Sequence, residues 1–62
     1  MNHKQELDNI TERLEAVRGD ESFGLMMYAL RVRDMLEDLS EDEADAFVGD
    51  VRQQVESMLA ND

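Results

Sequence analysis

Between Asp34 and Val51 the chain carries eight carboxylates and no Lys or Arg: Asp34, Glu37, Asp38, Glu41, Asp42, Glu43, Asp45 and Asp50. Carboxylates at this density serve three kinds of chemistry. Acid/base catalysis needs a pair with perturbed pKa values in a cleft, and three short helices leave little room for one. Calcium binding needs alternating ligands on a loop around a central Gly. Asp38, Ser40 and Asp42 alternate in that way, but Glu43 stands where the Gly is required and no Glu closes the loop. The third use is electrostatic: a rigid set of carboxylates can occupy a basic protein groove built for phosphates.

The other reactive residues are sparse. His3 is the one histidine and there is no cysteine, which removes a structural zinc site of the Cys/His kind and any disulfide. Ser22 has no visible base or oxyanion context. Gly19-Asp20-Glu21-Ser22-Phe23-Gly24 lacks the Lys and Ser/Thr of a phosphate-binding loop. The expectation is a non-enzyme with no cofactor and no metal.

Sixteen acids against six bases give a net charge of −10. Direct binding to DNA or RNA is disfavoured, because phosphate contacts need Lys or Arg. Lys4 is the sole lysine; the other bases are Arg13, Arg18, Arg31, Arg33 and Arg52. No segment reaches the roughly 20 apolar residues of a membrane span. No apolar stretch follows Met1-Asn2-His3-Lys4-Gln5-Glu6 to make a signal peptide, and absence of Cys fits a reducing compartment, so the expected location is the cytoplasm.

Three helices must position these residues. The first runs from about His3 to Arg18, with Leu7, Ile10, Leu14 and Val17 spaced three, four, three as a heptad seam. Gly19 is placed to close it as the residue of left-handed conformation, with Asp20 or Ser22 capping the next helix. The second runs from about Glu21 to Leu39. One face holds Leu25, Tyr28, Ala29, Val32, Met35, Leu36 and Leu39; Phe23, Met26, Met27 and Leu30 form a second apolar face in its first half. The third spans 41–60 behind the capping box Ser40-Glu41-Asp42-Glu43, with Ala44, Phe47, Val48, Val51, Val55, Met58 and Leu59 at helical spacing. With almost no loop at Leu39-Ser40, the second and third helices should be antiparallel neighbours. The expected fold is therefore all-α: a single acidic domain built as a small three-helix bundle, or a helical hairpin plus an N-terminal helix, with a homodimer as the oligomeric alternative.

Around the Leu39-Ser40 junction the segment Leu39-Ser40-Glu41-Asp42-Glu43-Ala44-Asp45 resembles the turn of the plasmid-encoded Rop helical-hairpin proteins over about one helical turn. The RNA binding of that family uses basic helix faces, which this chain lacks, so no site residue is carried over. In size and charge the chain is similar to phage-encoded acidic inhibitors, including anti-CRISPR and DNA-mimic proteins. That similarity implies an inhibitor whose partner is a basic, nucleic-acid-binding protein. Asp34, Glu37, Asp38, Glu41, Asp42 and Asp45 are the candidate partner-binding surface, provided the second helix persists far enough to align the first four on one side. The alternative is a homodimeric structural or regulatory module joined through Phe23, Met26, Met27 and Leu30, in which acidity serves only solubility or salt adaptation.

Overall fold

The structure, a computed structural model, describes residues 2–60. Three α-helices follow in order, α1 (His3–Val17), α2 (Asp20–Met35) and α3 (Glu41–Ala60). A 3-10 turn at Leu36–Asp38 lies between the last two, and there is no strand among the described residues. The expected all-α three-helix bundle is the observed architecture.

α1 opens on Asn2, whose side chain accepts the Gln5 N–H at 3.2 Å, satisfying one of the unpaired amides of a helix start. Leu7, Ile10 and Leu14 of the seam are buried. Val17, its fourth member, is 36% exposed, because the chain turns away from the core immediately after it. That turn differs from expectation in two ways. Positive φ begins one residue before Gly19, at Arg18 (φ 58°, ψ 143°), and continues at Gly19 (φ 133°). Neither Asp20 nor Ser22 caps α2: Gly19 occupies that position and no side-chain bond closes the helix start. Ser22 lies inside α2, fully buried, and its hydroxyl donates to the Leu14 carbonyl at the end of α1. A buried hydroxyl needs a partner, and the Leu14 carbonyl, which also accepts the Arg18 N–H at 3.4 Å, has a second lone pair to offer.

α2 buries Ser22, Leu25, Ala29 and Val32 on one face. It ends at Met35, one turn short of the expected Leu39. Leu36–Asp38 tighten into the 3-10 turn, closed by the Leu39 N–H on the Leu36 carbonyl at 3.3 Å, and Leu39 is extended (φ −97°, ψ 144°). Two forces shorten the helix. Asp34, Glu37 and Asp38 would all sit at the negative end of its dipole, where acids are disfavoured. The capping box of α3 also competes for the same residues. Glu43 N–H bonds the Ser40 hydroxyl at 3.2 Å and Ser40 N–H bonds the Glu43 carboxylate at 3.0 Å, the reciprocal pair expected of Ser-x-x-Glu. Half-buried Leu39 precedes the cap and Ala44, buried, follows it by four, the two positions of a hydrophobic staple.

α3 buries Ala44, Val48, Val51, Val55 and Met58, with Phe47 and Leu59 partly covered. Cross-helix bonds fix the directions. Arg33 reaches Asp8 at 3.2 Å while Ser22 reaches Leu14, and Glu21 and Gly24 lie beside Ser57 and Met58 with Tyr28 bonded to Asp50 at 2.8 Å, so α2 is antiparallel to both neighbours. His3 meets Asp45 and Glu6 meets Arg52, so α1 and α3 run parallel. The result is an up-down-up rod of about 33 × 17 × 17 Å whose core is Leu7, Leu14, Val32, Val51 and Val55 at its most buried. No helix among the described residues is long and apolar enough to cross a membrane.

Candidate functional site

The α2–α3 junction forms one end of the rod, and all six candidate carboxylates are there. Asp34 is in the last turn of α2, Glu37 and Asp38 are in the 3-10 turn, and Glu41, Asp42 and Asp45 are in the first two turns of α3. All six are exposed. The shared helical side expected for Asp34, Glu37, Asp38 and Glu41 does not form, since α2 stops at Met35. The carboxylates are wrapped around an angular turn instead. Glu41, Asp42 and Asp45 do share a helix, and side chains three or four apart there lie about 5–6 Å from one another.

The remaining two acids of the segment have structural duties. Glu43 is held by the capping box; the Ser40 backbone N–H first, then the Ser40 side chain, keep its carboxyl below the usual value. Asp50 accepts from the Tyr28 hydroxyl at 2.8 Å and from Gln54 at 3.0 Å. That bond, then burial, then the Asp50 charge raise the Tyr28 pKa. Asp45 is bonded by His3. Asp34, Glu37, Asp38, Glu41 and Asp42 make no ion pair or side-chain hydrogen bond among the described residues. Glu41 and Asp42 also sit on the positive end of the α3 dipole, which stabilises them where they are.

The fold brings cations to this end that the local sequence lacks. Lys4, Arg33, Asp34, Leu36 and Glu37 line a shallow depression on its flank, and His3 enters from the start of α1. Arg33 is engaged with Asp8. The end therefore remains strongly negative, but its α1 side is of mixed sign. Nothing in the sequence pattern flags this, because it arises only when α1 docks parallel to α3.

Between α1 and α3, His3, Glu6, Asp45, Val48, Gly49 and Arg52 enclose a small cleft. Arg52 donates to Glu6 Oε1 at 2.6 Å, leaving Glu6 Oε2 buried with no partner among the described residues. Gly49 stands at its edge, and a Cβ there would approach only the Arg52 guanidinium, at 3.9 Å, so packing within the bundle does not require glycine. Within the calcium-like spacing Ser40 is committed to the cap, and among the described residues no three His, Asp or Glu side chains are grouped as metal ligands.

The second candidate surface is on α2. Phe23 is 59% and Met27 49% exposed, while Met26 and Leu30 are half-buried. Phe23 and Met26 border, with Leu14, a shallow depression beside the α1–α2 turn that the charged Glu15, Arg18 and Asp20 also line. Phe23, Met27 and Leu30 lie on the outer side of α2, whereas Met26 is at the edge of the stripe and packs partly against the core.

No family model, curated protein or solved structure matches the chain.

Proposed function

We propose that this chain is a small acidic binding protein that inhibits a basic, nucleic-acid-binding partner by occupying its phosphate-binding groove. The observation that carries the reading is the set Asp34, Glu37, Asp38, Glu41 and Asp42: five exposed carboxylates at one end of a rod, without ion pairs among the described residues. The capping box and the 3-10 turn order the backbone beneath them, so little conformational entropy is lost on docking. Acids that merely keep a surface soluble are ordinarily interspersed with bases. Asp45, bonded by His3, supports the edge of the surface. Opposite charge would steer the encounter and make association fast and salt-sensitive. The reading involves no catalytic step and no cofactor, and it carries a cytoplasmic location with it.

The test is a capture experiment with the intact protein and a triple variant, Asp38→Lys, Glu41→Lys and Asp42→Lys. The wild type should retain a basic nucleic-acid-binding protein that competing DNA or high salt releases, and the variant should lose it while keeping its helicity by circular dichroism. Because Lys at a helix start is itself unfavourable, the neutral Asn/Gln/Asn triple serves as the folding control and should bind weakly. Retention of the same partner by the charge-reversed protein would sink the electrostatic reading.

A further inference from the structure

The outer face of α2 carries charge as well as apolar surface. At 100° and 1.5 Å per residue, Asp20, Met27 and Arg31 fall within about 40° of one another around the helix. Phe23 and Leu30 lie beside them on the same side. Asp20 and Arg31 are both exposed and make no ion pair among the described residues. They are about 16 Å apart along the axis, and their midpoint falls beside Met26, close to the middle of the Phe23–Leu30 stripe. The face thus has an acid at one end, a base at the other and apolar side chains between.

We infer that this face is an isologous interface in which α2 of one protomer packs antiparallel against α2 of a second copy, Met26 and Met27 meeting near the two-fold axis and Asp20 of each protomer pairing with Arg31 of the other. A two-fold axis perpendicular to two antiparallel helices keeps a given flank on the same side in both protomers. Asp20 and Arg31 share a flank, so the rotation brings each opposite its complement, twice per dimer. A parallel arrangement, whose two-fold axis runs along the helices, would leave Asp20 and Arg31 of the two protomers at different heights and on opposite flanks, so neither pair could form.

Net charge favours the same choice. Two chains of −10 repel, and most of the unpaired charge is at the α2–α3 end. Antiparallel packing sends the two acidic ends to opposite extremes of rods 33 Å long, several times the screening length of about 8 Å at physiological ionic strength. Parallel packing would juxtapose them. The stripe is small: four side chains on so narrow a rod fall short of the roughly 800 Å² per partner of a standard interface. The dimer is accordingly weak, as for interfaces below standard size.

Sedimentation velocity on the full chain, from about 10 µM to about 1 mM at physiological salt, covers the range in which a weak dimer forms and dissociates. A reversible monomer–dimer equilibrium is expected. Met27→Glu, at an exposed position, should raise the dissociation constant at least about tenfold, since the change enters the interface twice, with helicity unchanged. Asp20→Arg and Arg31→Asp should each weaken the dimer, and the double exchange should restore it towards the wild-type value. A chain monomeric throughout the range overturns the inference and leaves the stripe to another occupant. A dimer indifferent to Met27→Glu, or a double exchange that rescues nothing, overturns it too, by placing the contact on another face or in another register.

Discussion

At the α2–α3 junction the chain reverses through a 3-10 turn and a reciprocal side-chain cap, no described residue takes a positive φ, and the outward surface is carboxylate. At the α1–α2 turn two consecutive residues take positive φ, no side chain caps α2, a buried serine ties the helices together, and the outward surface is apolar, with Val17, Phe23 and Met27 exposed. Both ends must terminate one helix and begin the next. The first does so with local hydrogen bonds between residues three apart, which leaves neighbouring side chains unconstrained and available for charge. The second depends on a long-range contact and a strained backbone, so its side chains are committed to the core or left uncovered. An interface for a charged partner is more readily built on the first kind of turn, and an apolar self-contact beside the second.

The contrast is most easily broken at Ser22. Its hydroxyl is buried and bonded across the turn to Leu14. Ser22→Val removes the bond and forces extra volume into a packed site, so it should destabilise by about 2 kcal/mol, from the lost buried bond and overpacking. Ser22→Ala, which fits the space, should cost nearer 1 kcal/mol, because the Leu14 carbonyl keeps the Arg18 N–H as a partner at 3.4 Å. For a domain of this size about 1 kcal/mol moves Tm by roughly 4–8 °C, within reach of thermal melts followed by circular dichroism. A Val variant as stable as wild type would show that the turn does not depend on this contact.

Ser40 sharpens the comparison from the other side. Ser40→Ala should cost about 1 kcal/mol, the usual loss on removing a cap, and should leave the α1–α2 turn unaffected. The capping box also predicts a pH dependence. The folded protein holds the Glu43 carboxyl below its ordinary value, so the folded state binds a proton there less readily than the unfolded chain. The stabilisation from Glu43 is fully present above the ordinary carboxylate range and is lost as pH falls through the lowered folded value. Glu43→Ala should therefore be less stable than wild type at neutral pH, and the gap should close in acid. A gap constant down to the acid limit would mean that ionised Glu43 contributes nothing through the cap.

Much of the fold was legible from spacing alone, for a physical reason. Leu7, Ile10 and Leu14, and Ala44, Val48, Val51, Val55 and Met58, sit on helices that each bury a single face, and a single face leaves a clean period. The capping box was legible because both of its partners lie within four residues. What escaped was set by competition or by docking. The length of α2 depended on whether its own periodicity or the α3 cap claimed Leu36–Leu39, and the dipole settled that against the carboxylates. Ser22 looked like a cap because its acceptor, Leu14, is on another helix. The six candidate carboxylates sit at the junction, yet the approach of Lys4 and His3, the pairing of Asp45 and the structural duty of Asp50 all arise from α1 and α2 packing against α3. No pattern within one helix encodes them.

Arg18 provides the most direct measure of strain at the apolar turn. Its φ of 58° with ψ of 143° lies outside even the left-handed helical region, where a side chain costs about 1–3 kcal/mol. Glycine would relieve that cost but would also enlarge the conformational freedom of the unfolded chain, at about 0.4–1 kcal/mol. The middle of the first range exceeds the middle of the second, so Arg18→Gly should stabilise by about 1 kcal/mol, the difference of these two terms. Arg18 makes no ion pair among the described residues that would be forfeited. The matching change at the acidic turn, Leu39→Gly, relieves no strain, since Leu39 is extended in an ordinary region, and should only destabilise. Opposite signs of the two Tm shifts would place the backbone strain at the α1–α2 turn; two losses would mean that Arg18 contributes packing worth more than the strain it bears.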